Sequence, residues 1–484
     1  MFGRKQKGSS DVSNSLSRFI DLHRDCFSRV KHLKMLLDSI SLQEKRQLMD
    51  EYSFETFHLV DELLLSCDVS TCAQGALEAE SGLWTLEQLL CLAPQLIGSG
   101  WQKHAIESLL KKAIYPHNVL SVRKIAIRLF LIFYQSLAVY GNKSIELDRV
   151  FQCLLPYFPL KCGGNTQVIL QEYCESAGNT NWMNGRNSSL SSRDSNSNPR
   201  EKAQLLQVYL DKLLEYCSRE TIRIEWEDEE KRMQCAQFII DRVITLYIHE
   251  TFADLDSNGV DIFGGWVGGD CECIPFDTAD PIVIARYWLI RWMNNIASAT
   301  QLPREVVHGG LLLYHNALFS SERSTNCLLT LLGEGMKLPL ACSNVIHKVI
   351  SLLSSWLLQL EIAPFVRSGK VSIESSSLLI IHILLSFFQS PYIDNSDRLM
   401  SSVSISFSIL RTCRSLSSPS LQLIKPIPSI VWNDLISRLI SNSSRISSQS
   451  NSFAQETSSA FANTILTLLV TAQVSIISII DIHS

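Results

Sequence analysis

Asp254-Leu255-Asp256-Ser257-Asn258-Gly259 places oxygen-bearing side chains at alternate positions and a glycine at the sixth. That is the opening half of a calcium-binding EF-hand loop. Such a loop needs a carboxylate at position twelve to grip the ion with both oxygens. Position twelve here is Gly265, inside Gly264-Gly265-Trp266-Val267-Gly268-Gly269, which is no helix start. A polar surface turn is the favoured reading. Cys271-Glu272-Cys273 offers two thiolates, but no second Cys or His pair stands beside it at zinc-site spacing. His249-Glu250 has no second histidine at the metalloprotease position, and the paired glycines lack the Lys-Ser/Thr ending of a phosphate loop. There is no Gly-x-Ser-x-Gly nucleophile elbow. No catalytic, cofactor-binding or metal-binding residue is therefore assigned, and no cofactor is expected.

Two charged groups remain. Lys111, Lys112, Arg123, Lys124 and Arg128 form a basic cluster that could meet an acidic partner or a phosphoinositide. The favoured reading is the solvated faces of two helices. Glu225, Glu227, Asp228, Glu229 and Glu230, followed by Lys231 and Arg232, read as an exposed helix with pairs three and four residues apart.

The elements carrying these residues are helical. Val122, Ile125, Ala126, Leu129, Phe130, Phe133 and Leu137 fall on one helix face. Trp101, Ala105, Ile106, Leu109, Leu110 and Ala113 make another just before it, and Tyr115-Pro116-His117-Asn118 is the turn between them. Two such helices make an αα-hairpin, the unit of helical solenoids. Asp280 can cap a helix whose first residue is Pro281. Later helices carry Ile346, Val349, Ile350, Leu353, Trp356 and Leu360, and then Trp432, Leu435, Ile436, Leu439 and Ile440. The expected fold is all-α, a HEAT/armadillo-like α-solenoid with long disordered loops. Helical repeats are expected over 1–175 and 201–253, and a further helical region over 281–440. Between them lie a Ser/Asn-rich loop at 176–200 and an irregular Gly/Asp-rich connection at 254–280. A Ser-rich linker at 441–459 leads to a terminal helix at 460–484, which reads as truncated.

Composition supports this. Of 484 residues, 46% are hydrophobic and 19% charged, enough apolar content to bury a core. A net charge of −5 argues against a dedicated nucleic-acid binder, so no nucleic-acid partner is expected. Met1 to Lys7 is not followed by the apolar stretch of a secretory signal. A cytoplasmic chain follows, in which most of the 14 scattered cysteines are buried packing residues. The Asn-x-Ser triplets at Asn142, Asn187 and Asn442 are then chance occurrences. Phe461 to Ile480 is uncharged and about the length of a bilayer crossing. Its Asn463, Thr464, Thr467, Thr471, Gln473, Ser475 and Ser478 make a membrane anchor the minor reading against a buried helix.

The order of several landmarks adds a resemblance. Trp101 to Ile106, Leu109 to Lys112, Val122-Arg123-Lys124, Arg128 to Leu131 and Gln135-Ser136-Leu137 resemble the opening helices of Ral GTPase-activating protein α subunits. Arg29 to Lys34 is similar to the family's first helix, and Cys153 to Phe158 and Glu225-Trp226 to later landmarks. Ile284 to Arg286, Ile290 to Trp292, Leu338 to Trp356 and, more weakly, Trp432 to Leu435 continue the series. The resemblance runs from about Arg29 to about Thr471. Val474 to Ser484 does not share it, which suggests an end made by truncation, splicing or a gene-model error. It implies a helical region preceding a Rap-GAP-type catalytic domain, which positions the attacking water with an asparagine. It also implies a β subunit as partner and Ral-type small GTPases as the proteins served, the latter through a carboxy-terminal domain absent from these residues. This stretch would then be a non-catalytic scaffold. The competing reading is an unrelated α-solenoid protein-binding adaptor.

Overall fold

Leu129-Phe130-Leu131-Ile132-Phe133-Tyr134 is an unbroken apolar run inside a helical segment. A helix that is apolar all round can be satisfied only by neighbours on every side. The computed structural model describes residues 9–66, 73–176, 198–252, 255, 280–301, 309–360, 363–367, 379–380 and 383–384. In it this run lies in a 20-residue helix, Leu120–Val139. Every residue from Leu129 to Ala138 is buried, Gln135 and Ser136 included. The one-faced helix expected from the spacing is thus an enclosed one.

The helices of the first half are α1 (Ser9–Ile20), α2 (Cys26–Ser39), α3 (Leu42–Glu51), α4 (Ser53–Ser66) and α5 (Ala73–Leu92). They continue with α6 (Pro94–Gly98), α7 (Lys103–Ile114), α8 (Leu120–Val139), α9 (Ile145–Cys153) and α10 (Thr166–Glu175). Next come α11 (Pro199–Arg223) and α12 (Glu229–Val243), the latter running through a π-helical turn, Ile244–Ile248, into His249–Thr251. Then follow α13 (Pro281–Ala297), α14 (Gly309–Leu318), α15 (Glu322–Met336), α16 (Ser343–Leu358) and the short α17 (Pro364–Arg367). Among the described residues there is no strand.

The chain divides into two units. In the first, Met1–Ala253 with Ala279–Trp288 and Ala299–Leu318, α8 is the common neighbour of α5, α6, α7, α11 and α12. Helix α14 packs on α11 and α12, and α4 runs along α5. The second unit contains Leu289–Ser298, the later part of α13 and its end, together with α15 and α16, which pack on each other. There Gly335 lets Ile290 and Val349 approach its backbone: a Cβ would stand 3.0 Å and 3.5 Å from their Cγ2 atoms.

The helix ends follow the capping chemistry in the sequence. Asp280 Oδ1 accepts a hydrogen bond from the Ile282 amide at 2.8 Å, just before Pro281. Asn198 does the same for Arg200 at 3.1 Å, so α11 starts at Pro199, inside the segment expected to be loop. Ser41 and Glu44 form a reciprocal capping box on α3. The turn after Tyr115 is closed by Asn118, whose Nδ2 donates to the Lys112 and Ala113 carbonyls at 2.6 Å and 3.0 Å. Helix Ser343–Leu358 holds the expected apolar stripe up to Trp356, with Leu360 just past its end. The helix expected at 432–440, the linker at 441–459 and the stretch 460–484 lie outside the described residues. So does nearly all of the connection at 254–280, including the half EF-hand motif apart from Leu255, and Cys271-Glu272-Cys273.

One close approach fixes how α6 meets α8. A Cβ added at Gly98 would press into the Tyr140 ring and come within 2.9 Å of the Ser136 carbonyl oxygen. The obstacle includes backbone, so a side-chain adjustment cannot relieve it. Gly98→Ala should cost about 1–3 kcal/mol by overpacking, read as a lower denaturation midpoint with an unchanged slope.

Candidate functional site

A buried charge needs a partner, and the first unit builds a polar seam that supplies one. Glu87, on α5, is 2% exposed. Its two carboxylate oxygens meet two arginines: Arg128 from α8 and Arg223 from the last turn of α11. Arg223 also donates to Glu220 Oε2 at 3.0 Å, and Glu220 is 1% exposed. Two arginines and two carboxylates therefore join α5, α8 and α11. A paired buried charge is tolerated because each ion is answered by another and by hydrogen bonds.

The seam continues at the turn after α11. The Glu225 amide donates to the Cys91 carbonyl at 2.8 Å. Arg46 of α3 reaches both Glu225 Oε2, at 3.2 Å, and the Trp226 carbonyl, at 3.1 Å. The buried Trp226 indole donates to the Thr221 carbonyl at 2.9 Å. The Glu225-Trp226 landmark thus locks the α11–α12 turn onto α3 and α5. Deeper in, Gln135 Oε1 accepts from the Thr221 hydroxyl at 2.6 Å and the Cys235 thiol at 2.9 Å. Tyr314 on α14 stands 2.8 Å from the same hydroxyl and donates to the Cys217 carbonyl. Burial pushes the Cys217, Cys235 and Tyr314 ionisations upward, so none of these groups is poised as a nucleophile or base.

Glu220 has a consequence for pH. Burial raises its pKa, with Glu87 adding to the rise and Arg223 and Arg128 opposing it. A carboxyl whose folded pKa exceeds the unfolded value of about 4.3 holds its proton more tightly when folded. Stability from this group is therefore full at low pH and declines as pH climbs from the unfolded to the folded pKa. Glu220→Gln copies the protonated form, so its stability relative to wild type should improve between pH 4 and pH 7. Urea titrations at the two pH values check the sign.

The charged groups singled out in the sequence are more embedded than expected. In the basic cluster, Arg123 is buried and Arg128 belongs to the seam. Lys111 lies 4.0 Å above the Tyr173 ring and 3.8 Å from Glu107. Lys112 and Lys124 are half-buried. The reading as solvated faces is thus corrected for Arg123, Arg128 and Lys111, which meet partners inside the fold, while Lys112 and Lys124 keep part of their surface in solvent. The acidic run is only partly helical. Asp228 caps α12, Glu229 pairs with Arg232 and Glu227 with Lys231, while Glu225 turns to Arg46. Glu250 accepts from the Lys161 amide at 2.7 Å. No group of metal-ligating side chains occurs among the described residues. Asn142 is half-buried and donates to the Gly98 carbonyl. Of the nine described free cysteines, seven are buried, Cys26 is half-buried and Cys162 is exposed, as the packing reading expects. Sequence reasoning missed the seam itself, because Glu87 and Arg128 stand 41 residues apart with no local signal joining them.

Comparison with known proteins places this arrangement. Residues 2–234 match the family model of the RALGAPA1 N-terminal domain, which is not a catalytic domain. Ral GTPase-activating protein subunit alpha-1 of Rattus norvegicus is 26% identical over 277 residues, covering 53% of this chain and 13% of the relative. The alpha-1 subunit of Sus scrofa is 24% identical, covering 53% and 76%. Subunit alpha-2 of Mus musculus is 26% identical over 270 residues, covering 52% and 14%. The chain thus spans about an eighth of the rat relative's length. No solved structure matches it. The match begins well before Arg29 and stops at residue 234. The similar stretches at 284–292 and 338–356 therefore lie beyond the family model.

Proposed function

We propose that this chain, whose residues 2–234 carry the N-terminal domain of the Ral GTPase-activating protein α family, is a non-catalytic helical scaffold within such an activator. In this reading it supports GTP hydrolysis on Ral-type GTPases by assembling with a β subunit in the cytoplasm. The residues performing the chemistry belong to a different, carboxy-terminal domain. The paired helices would stack as a HEAT/armadillo-like solenoid, an architecture that offers long surfaces to partners. The observation carrying the reading is the family match over residues 2–234, a range that contains the seam fixing α3, α5, α8 and α11 to one another.

The test is assembly. The purified 484-residue chain is mixed with a purified Ral GTPase-activating β subunit and run on a sizing column with light scattering. The expected result is a shared peak of summed mass, with no rise in GTP hydrolysis on Ral by the chain alone. Separate elution at micromolar concentrations, or hydrolysis stimulated by the chain alone, would contradict the proposal.

A further inference from the structure

Arg123 differs from the other arginines that reach inside the first unit. Arg29 stands 3.6 Å from Glu62, and Arg128 and Arg223 share Glu87. Arg123 is 6% exposed and its contacts are all neutral. Nη1 donates to the Pro116 carbonyl at 3.1 Å, Nη2 to Gln167 Oε1 at 3.4 Å, and the guanidinium lies 4.8 Å above the Tyr209 ring. Two acids on neighbouring elements are engaged elsewhere. Glu175 accepts from Tyr115 and Gln171, and Glu107 from Tyr173. No carboxylate pairs with Arg123 among the described residues, so its full charge is met by dipoles and a ring face. That is a costly arrangement for a buried ion. Burial accordingly draws its pKa down.

Two independent features converge on the same place. Tyr209, on α11, is 1% exposed, and its hydroxyl has no hydrogen-bond partner. Buried hydroxyls rarely go unpaired without a reason. Tyr157 holds a left-handed backbone with φ +57°, unusual for a bulky residue and commonest at functional turns. Its ring carries the Lys202 ammonium at 5.2 Å, and both side chains are half-buried. They place a second cation at the margin. Exposed apolar side chains stand on the same elements: Val119 and Leu120 before Arg123, Val168 beside Gln167, and Val208 beside Tyr209.

We propose that this end of α8 receives an acidic side chain of a partner protein, its carboxylate pairing with Arg123 and the Tyr209 hydroxyl. Lys202 draws the carboxylate in. Aliphatic neighbours of the acid rest on Val119, Leu120, Val168 and Val208. A carboxylate on a guanidinium makes the strong charge-assisted hydrogen bonds that neutral acceptors do not, and a desolvated, arginine-centred contact is typical of an interface hot spot. The inference deepens the scaffold reading and rests on it for the existence of a protein partner. Its own test needs no β subunit, so the two can fail separately.

The probe is a short acetylated peptide with one glutamate flanked by leucines, compared with its glutamine counterpart by fluorescence anisotropy on the full chain. The glutamate peptide should bind at least tenfold more tightly. Arg123→Met should erase that preference while melting no lower than wild type, because it removes an unanswered buried charge. Lys202→Ala, at the margin, should weaken the glutamate peptide about threefold and leave the fold intact. Equal binding of the two peptides would overturn the proposal. So would displacement of the peptide by equimolar inorganic phosphate, which would mark a general anion site. A melting point several degrees lower in Arg123→Met would overturn it too, since the arginine would then be a structural strut.

Discussion

Glu87→Ala should lower the stability of the first unit by about 1.5–3 kcal/mol, the worth of charge-assisted hydrogen bonds to a buried carboxylate, because Arg128 and Arg223 keep 24% and 38% of their side-chain surface in solvent and can rehydrate. The size follows from what is left behind. Arg128 and Arg223 would both lose the carboxylate between them, and Arg223 would keep only Glu220. Arg128 is in a worse position, because its Nε is already buried without a partner. Glu87→Gln should fall between wild type and the alanine variant, since the amide offers a single acceptor oxygen and no charge. Glu220→Gln should cost far less than either, because the fold already favours a neutral group at that position. Equilibrium urea unfolding of the three variants gives the ranking. A Glu87→Ala midpoint indistinguishable from wild type would mean that the seam contributes no stability.

Trp356→Ala should cost the second unit more, about 3–5 kcal/mol. Trp356 is 2% exposed and lies on the buried face of α16 with Val349 and Leu353. Its ring meets Phe365 edge-on at 5.4 Å and Phe319 at 6.2 Å, with interplanar angles of 85° and 79°. The substitution removes the transfer free energy of an indole, leaves a cavity and abolishes both aromatic contacts, each of which adds about 0.5–1.5 kcal/mol beyond area. Trp356→Phe should recover more than half of the loss, because one ring can still meet Phe365. The near-ultraviolet circular dichroism of the second unit's aromatic cluster should weaken in the alanine variant and persist in the phenylalanine one.

The sequence disclosed the helices better than their surroundings. The Asp280-Pro281 start, the Tyr115–Asn118 break and the apolar stripe from Ile346 to Trp356 are local signals, and each is present in the fold. The enclosure of α8 was also written locally, in the run from Leu129 to Tyr134. A three-and-four spacing picks one face out of such a run and hides the rest. The polar seam had no local trace. Glu87, Arg128 and Glu220 look like ordinary surface charges until folding brings three helices together, and burial then turns them into pairs. Arg123 was misjudged for the same reason: Gln167 and Tyr209, which close over it, come from distant parts of the chain. Cysteine behaved as composition implies, as a small apolar residue that burial keeps in the thiol form. Arg128, Gln135 and Glu225-Trp226, on which the resemblance was read, are seam residues in the fold.

Helices α5, α6, α7, α11 and α12 all pack on α8, and amide hydrogen exchange reads how firmly they hold it. Amides that open only on global unfolding exchange last. Those of Leu129 to Leu137 should be among the slowest in the chain, slower than those of α1 and α3. Exchange of that segment as fast as α1 would contradict the account, because α8 would then not be held by helices on all sides.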